Sequence, residues 1–173
     1  YVNNLYNLGT GSVGKNVVVE INDGATINNL FTRGETAWTK VNGDYVIYLN
    51  DGTINTVSPS KDPDPGRGVL GKTILVINDD TANVPANISG LPYLVSFTGD
   101  GNVVYNTESD KLELKCGANS NKITVNGNVI YGNTEIDLTD ARTTVEFGYE
   151  NIVTTANAIF DANGGFWGDE TTK

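Results

Sequence analysis

KNVVVEINDG, at residues 15–24, is the first of three related segments, and the others are DYVIYLNDG at 44–52 and KTILVINDD at 72–80. The aliphatic residue before each Asn-Asp pair is Ile21, Leu49 or Ile77, and neighbouring positions are 28 residues apart. A fixed period of this length is typical of stacked structural units that bury their apolar faces against one another. We therefore expect these three side chains to form one interior column.

Apolar residues alternate within each segment, as in a β-strand with one buried face. In the first segment Val17, Val19 and Ile21 share the face that we assign to the interior. The opposite face is apolar in the later segments, where it carries Val46, Tyr48, Ile74 and Val76. This trend indicates that a loop or a neighbouring module covers the outward face.

A turn and a second short strand complete each unit. Asn-Asp-Gly favours a turn because Gly accepts positive φ and the Asn and Asp side chains bond to nearby backbone. In the third copy Asp80 replaces the Gly, so that turn must differ. The second strand occurs at 27–30 and 54–57, and residues 2–9 match 27–34. We expect the chain to begin inside a unit, with at least one more unit upstream.

The second half of the chain has a less regular pattern. Seven short apolar segments separated by Gly, Asn and Asp occupy residues 94–97, 103–105, 112–114, 123–125, 129–131, 136–138 and 145–147. No stretch has a sustained helical period, so the sequence predicts an all-β protein. We expect a parallel β-solenoid with right-handed β-helix-like repeats, with a β-sandwich as the alternative. Repeat units would occupy 1–90, continuing or capping strands 91–157, and a separate segment 158–173.

Composition limits the classes of function. The 173 residues carry a net charge of −10, and only 18% of them are charged, so the polar surface is mainly Asn, Thr, Gly and Ser. An acidic surface disfavours nucleic acids and anionic headgroups, and no long apolar run predicts insertion into a membrane. Cys116 is the one cysteine, and the chain has no His to activate it, so we expect it to pack as a small core residue.

Two stretches resemble known families of repeats. Residues 14–30 and 43–57 resemble the glycine-rich repeats of large surface proteins in Gram-positive gut bacteria, although they lack a Gly-Gly-Gly loop. The segment AIFDANGGFWGDETTK, at 158–173, resembles the opening of a Listeria–Bacteroides repeat, a small β module of bacterial surface proteins and internalin-like adhesins. The resemblance implies a piece of an exported multi-domain protein. It also implies that the last segment lies outside the repeat core, so that deleting 157–173 would leave the melting temperature almost unchanged.

Several residues could take part in catalysis. Asp62, Asp64 and Arg67 have the residue types of a Ca²⁺-dependent polysaccharide lyase, but Asp-Pro-Asp-Pro-Gly is also a simple polar turn. Two acidic groups could supply the carboxyl pair of a glycoside hydrolase, namely Glu108, Asp110 and Glu113, and Glu135, Asp137 and Asp140. Alternating acids on a strand usually form a solvated face. We therefore predict no catalytic, metal-binding or cofactor-binding residues.

Other residues could bind or crosslink. Four aromatic residues could stack on sugar rings, namely Trp38, Tyr48, Tyr93 and Trp167, although cores and interfaces use aromatic residues as well. Lys beside Asn, Asp or Glu could form an intramolecular isopeptide bond, but with 23 Asn in the chain this signal is nonspecific. The sequon at Asn87 is a chance match in a bacterial protein.

The sequence predicts a non-catalytic structural or adhesive domain of a secreted or cell-wall-attached bacterial surface protein. The alternatives are a carbohydrate-binding module and a fragment of a polysaccharide lyase or glycoside hydrolase. The expected partners are a host or cell-surface glycan or protein and the neighbouring domains of a longer chain, with no nucleic acid, no membrane insertion and no cofactor.

Overall fold

The computed structural model describes residues 1–6, 12–22, 24–32, 40–58, 68–88, 91 and 93–152. These residues form strands and turns and no helix, so the predicted all-β class is confirmed. The strands are β1 (Val2–Tyr6), β2 (Ser12–Val13), β3 (Val17–Ile21), β4 (Thr26–Phe31), β5 (Lys40–Val41), β6 (Tyr45–Leu49), β7 (Gly52–Ser58), β8 (Gly68–Val69), β9 (Thr73–Asn78), β10 (Ala82–Asn83), β11 (Tyr93–Thr98), β12 (Gly101–Asn106), β13 (Lys111–Cys116), β14 (Lys122–Val125), β15 (Asn128–Tyr131), β16 (Thr134–Asp137) and β17 (Arg142–Gly148).

The first ten strands pair in parallel, one repeat unit on the next. In the ladder β3-β6-β9, Val17 lies opposite Tyr45 and Tyr45 opposite Thr73, which is an offset of 28 at each step. The short strands β2, β5 and β8 keep the same offset, with Ser12 opposite Lys40 and Lys40 opposite Gly68. The predicted 28-residue period is therefore the spacing of hydrogen-bonded strands.

The third ladder, β1-β4-β7-β10, absorbs the differences in loop length. Val2 lies opposite Ile27 at an offset of 25, and Ile27 lies opposite Ile54 at an offset of 27. Gly52 lies opposite Ala82, so the offset rises to 30 at the last step. The units therefore vary in length between the ladders while the β3-β6-β9 register stays fixed.

The predicted interior column is confirmed. Ile21 lies opposite Leu49 and Leu49 opposite Ile77, and all three are buried in one apolar cluster with residues of the other ladders, including Leu30 and Ile54. Adjacent strands lie about 4.8 Å apart, so these side chains contact their neighbours in the column directly.

Polar side chains also form columns, one at a bend and one along the β1-β4-β7 ladder. The Asn50 side-chain amide donates to the Asn22 oxygen at 2.9 Å, one unit away. A second column runs from Asn55 to Asn28 at 3.1 Å and from Asn28 to Asn3 at 3.0 Å. Each amide therefore fulfils part of its hydrogen-bonding capacity through the same residue type in the next unit.

A third column explains why a glycine precedes the later units. Asn16 Oδ1 accepts the backbone N–H of Asp44 at 2.8 Å, and Asp44 Oδ1 accepts that of Lys72 at 2.7 Å. A Cβ on Gly71 would collide with the Asp44 carboxylate and lie 2.7 Å from the carbonyl oxygen of Gly43. Close stacking at this bend therefore requires glycine.

The third turn differs, as the sequence predicts. The Asp80 N–H donates to Asn78 Oδ1 at 3.2 Å, and the Asp80 carboxylate accepts the N–H of Gly99. Gly52 pairs with Ala82, whereas an offset of 28 would pair it with residue 80. The third turn is therefore two residues longer than the second. Asp80 therefore ties the last unit to the strands that follow.

The second half of the chain covers the outward face, as the apolar trend predicts. Strand β11 pairs in parallel with β9, β17 in parallel with β11, and β14 and β15 complete this seven-stranded sheet in antiparallel pairing. An antiparallel sheet of β12, β13 and β16 packs on it. Their shared core contains Val46, Ile74 and Val76 from the repeat units and Leu112 and Leu114 from β13.

Leu49 provides a test of the interior column. Leu49 has no exposed surface, so Leu49→Ala should lower the free energy of unfolding by about 2–5 kcal/mol through lost contacts and a cavity. Leu49→Asp would bury an unpaired carboxyl group and should prevent folding. Urea unfolding followed by circular dichroism measures both. The control Val129→Ala changes a residue that is 51% exposed and should alter stability by less than about 0.5 kcal/mol.

Candidate functional site

The two acidic groups named from the sequence lie on and around the antiparallel β12-β13-β16 sheet. Glu113 of β13 lies directly opposite Glu135 of β16, and Lys111 lies opposite Asp137. The Glu113 carboxylate accepts from Asn106 at 2.8 Å and pairs with Lys115 at 3.0 Å. These two partners lower the pKa of Glu113.

This arrangement does not suit acid–base hydrolysis. A glycoside hydrolase needs one carboxyl group that stays protonated near neutral pH, and such a group has a raised pKa. Glu113 has the opposite shift, and Glu135 is exposed on the same open sheet surface. The structure thus brings two of the predicted acids face to face without giving Glu113 the properties of a general acid.

A polar cluster joins the repeat units to their cover, and we call its five residues the docking network: Asp44, Tyr48, Lys72, Tyr105 and Asp110. Asp110 lies in the β12–β13 turn, and its carboxylate accepts hydrogen bonds from the Lys72 ammonium and the Tyr105 hydroxyl. The Tyr105 hydroxyl also lies 3.3 Å from Asp44 Oδ2. The Tyr105 N–H donates to the Tyr48 hydroxyl at 3.0 Å, 57 residues away in the sequence.

The pKa shifts in the docking network follow from these contacts. The hydrogen bond from Lys72, followed by that from Tyr105, lowers the pKa of Asp110. Burial, with the neighbouring carboxylates of Asp110 and Asp44, raises the pKa of Tyr105. Burial likewise raises the pKa of Tyr48. Both tyrosines therefore stay neutral. The Tyr105 hydroxyl donates to Asp110, which stays a carboxylate, and the Tyr48 hydroxyl accepts the Tyr105 N–H.

Lys72 and Asp110 are the closest match to an isopeptide pair among the described residues. Forming the amide requires an uncharged amine and a protonated carboxyl group in a dry environment. Asp110 is 60% exposed at its side chain and has a lowered pKa, so the ionised state is favoured. The contact therefore has the chemistry of an ion pair.

The aromatic candidates within the described ranges are structural. Tyr48 and Tyr93 are half-buried and pack against the core under the antiparallel sheet. Cys116 packs against the same core, as the sequence predicts, and its N–H donates to Asn133 Oδ1 at 2.8 Å.

Several other sequence-based candidates lie outside the described residues. They are Trp38, Asp62, Asp64, Arg67, Trp167 and the Listeria–Bacteroides-like segment from Ala158 onward. Among the residues that the structure describes, no group of three or more His, Cys, Asp or Glu side chains could hold a metal ion. The same ranges contain no helix with the length and hydropathy to cross a membrane.

Sequence reasoning missed one polar surface. Beyond β9 no described strand packs on part of the inner face of the seven-stranded sheet, and there it carries five residues that we call the polar face: Ser96, Thr98, Thr124, Thr144 and Glu146. Thr98 lies opposite Glu146 in one strand pair and Glu146 opposite Thr124 in the next, so the three form a row.

The polar face borders a cavity of about 370 Å³. Asp79 also lines the cavity. Burial raises the pKa of its carboxyl group, and a hydrogen bond with Ser96 offsets part of this shift. Polar alternation at 96–98 and 144–146 could have suggested an uncovered face. No local pattern indicates that Thr98 and Glu146, 48 residues apart in the chain, lie side by side.

No family model, curated protein or solved structure matches this chain. Its function must therefore be inferred from its own residues.

The docking network predicts a pH-dependent contribution to stability. Asp110 has a folded pKa below its unfolded value near 3.9, so its contribution is present above about pH 4 and is lost as pH falls through the folded pKa. Asp110→Asn should cost about 1 kcal/mol at pH 7, and the difference from wild type should shrink below pH 4. Asn tolerates the positive φ of this position, 61°, so the turn is preserved.

Urea unfolding at pH 7, 5 and 3 measures this effect. Glu108→Gln removes an exposed carboxylate from the same turn and serves as the control, with an expected change of less than about 0.5 kcal/mol. Equal losses for Asp110→Asn at pH 7 and pH 3 would show that the ion pair contributes nothing.

Proposed function

We propose that this chain is a non-catalytic structural or adhesive domain of a secreted or cell-wall-attached bacterial surface protein, and that its parallel units form a β-solenoid. The observation that carries the proposal is the parallel register of 28 residues maintained over three strands around one apolar interior. Such stacking produces a scaffold whose loops vary without disturbing the ladders. The bacterial surface location is supported by the resemblance of the units and of residues 158–173 to repeats of surface proteins.

The chemistry of the described residues also favours a non-catalytic role. Glu113 has a lowered pKa, and Asp110 is held by Lys72 and Tyr105. Cys116 has no His to activate it, because the chain has none. Two of the described carboxylates that could react, Glu113 and Asp110, are thus engaged in structural contacts.

Surface location and adhesion can be tested directly on cells of the source organism. Antibodies raised against the purified chain should label intact cells as strongly as permeabilised ones, and brief protease treatment of intact cells should remove the signal. The purified chain should release no sugar from pectins, glycosaminoglycans, chitin or mucin glycans. Labelling only after permeabilisation would contradict the location. Turnover abolished by changing Asp62, Asp64 or Arg67 would contradict the non-catalytic role.

A second candidate, carbohydrate binding, is favoured by the polar face. Its row of Thr98, Glu146 and Thr124 offers hydroxyl and carboxylate groups that pair with sugar hydroxyls, and the cavity beside it is large enough for a monosaccharide. Asp79 and Glu146 are its charged lining residues. The site therefore suits a neutral or amine-bearing glycan better than an anionic one.

A glycan array followed by titration calorimetry tests this candidate. We expect binding to neutral or amino sugars, and Glu146→Ala should weaken it at least tenfold. Glu135→Ala removes an exposed carboxylate from the other sheet and should leave binding unchanged. Binding that is insensitive to Glu146→Ala, or that is confined to uronic acids and sialylated glycans, would exclude the polar face as the site.

A further inference from the structure

The polar face continues beyond Thr124 onto the next strand of its sheet. Residues that lie opposite each other in paired strands project from the same face of the sheet. Thr124 lies opposite Val129 of β15, and Lys122 lies opposite Tyr131. The row that contains Glu146 therefore ends at Val129. Tyr131 lies two residues further along β15 and on the same face.

This outer part of the face is apolar, and we call its two residues, Val129 and Tyr131, the apolar platform. Val129 is 51% exposed and Tyr131 is 53% exposed. Ile130, between them, lies opposite the fully buried Ile123, so the alternation of the strand directs Ile130 to the core side and the platform to solvent. An aliphatic and an aromatic side chain therefore lie beside the hydroxyl and carboxylate groups of the polar face.

A small polar network holds the Tyr131 ring in position. Its hydroxyl donates to Glu150 Oε2 at 3.2 Å, and the Lys122 ammonium pairs with the same oxygen at 3.1 Å. Hydrogen bonds from Lys122 and then from Tyr131 lower the pKa of Glu150, so this carboxylate stays ionised. Asn121 fixes the backbone of Glu150 through two hydrogen bonds of 2.8 Å. A ring that is positioned before binding loses little conformational entropy when a ligand stacks on it.

We propose that the polar face and the apolar platform together bind an extended, uncharged, β-linked oligosaccharide, with Tyr131 as the residue on which a sugar ring stacks. The proposal rests on the carbohydrate-binding candidate above, in which the cavity beside Glu146 takes one sugar. Pyranose rings have an apolar face and hydroxyl groups at their edge, which match the platform and the polar row respectively. The row crosses β11, β17, β14 and β15 and is about 14 Å long at the usual strand spacing, so it is longer than one sugar.

The charges along this surface disfavour anionic chains. Glu146 lies in the middle of the row and Asp79 lines the cavity, while the Lys122 charge is paired with Glu150. Arg142 is on the same face of β17, but its backbone position is about 13 Å from that of Glu146, and its guanidinium donates to a backbone carbonyl. The cation that could receive a uronate or sialate group therefore lies away from the row.

Titration calorimetry of the full chain tests the proposal with oligomers of β-1,4-linked glucose and of β-1,4-linked N-acetylglucosamine, from the disaccharide to the hexasaccharide. We expect the hexasaccharide of at least one series to bind at least tenfold more tightly than its disaccharide. Tyr131→Ala should abolish this gain, and Tyr131→Phe, which keeps the ring, should retain most of it. Tyr1→Ala removes an exposed tyrosine beside β1, in another sheet, and should leave binding unchanged. Thermal unfolding verifies that each variant is folded.

The outcomes separate this proposal from the carbohydrate-binding candidate on which it rests. Binding that is weakened by Glu146→Ala but not by Tyr131→Ala, or that does not increase with chain length, would confine the ligand to the cavity and overturn the extended site alone. Failure of both series to bind would also overturn the extended site, even if another glycan on the array binds in a Glu146-dependent way. Binding that is insensitive to both substitutions would overturn the extended site and the candidate together.

Discussion

Burial of both faces of β6 and β9 is the constraint on which the rest of the structure depends. Leu75 and Ile77 of β9 point into the repeat interior, while Ile74 and Val76 point into the core shared with the antiparallel sheet. A strand that is dry on both faces must satisfy its backbone along both edges, since no water reaches it from above or below. Strand β9 therefore needs β6 on one side and β11 on the other, and the chain must return to the sheet after the third unit.

Polar columns at the bends fix the spacing of the units. The Asn50 side-chain amide donates to Asn22 in the neighbouring unit. This hydrogen bond forms only when the two bends lie one strand spacing apart. Asp44 performs the same function through its carboxylate and forces the adjacent Gly71 to remain without a side chain. These contacts join residues 28 apart, which is the offset of the β3-β6-β9 and β2-β5-β8 ladders, while the third ladder varies from 25 to 30.

Local patterns in the sequence were sufficient for the first half of the fold. The positions of Ile21, Leu49 and Ile77 predicted the column, and the apolar outward residues Ile74 and Val76 predicted a cover, because both signals repeat at a fixed spacing. The strand order of the second half, which mixes parallel and antiparallel pairs, could not be predicted from the sequence. Strand β17 lies between β11 and β14, and its pairings link residues about 20 to 50 positions apart. These pairings follow no repeat in the sequence.

The candidate site was harder to predict for the same reason. Tyr48 has the residue type of a sugar-binding aromatic, yet its hydroxyl partner is a backbone N–H at residue 105. Such a contact depends on how the second half folds over the first. Glu146 lies in an alternating pattern that is typical of a solvent-facing acid. Only the strand pairing shows that Thr98 and Thr124 flank it.

The two ends of the stack therefore differ in kind. At the far end the turn at Asp80 changes the register, binds the N–H of Gly99 and directs the chain into a mixed sheet that continues the ladder. A further unit with a 28-residue offset could not add there, because β11 already occupies the edge of β9. At the near end β3 is the last described strand of its sheet and keeps the register of the repeat. Among the described strands, growth of the stack beyond the third unit is thus blocked, because the chain itself continues the sheet through β11 and β17.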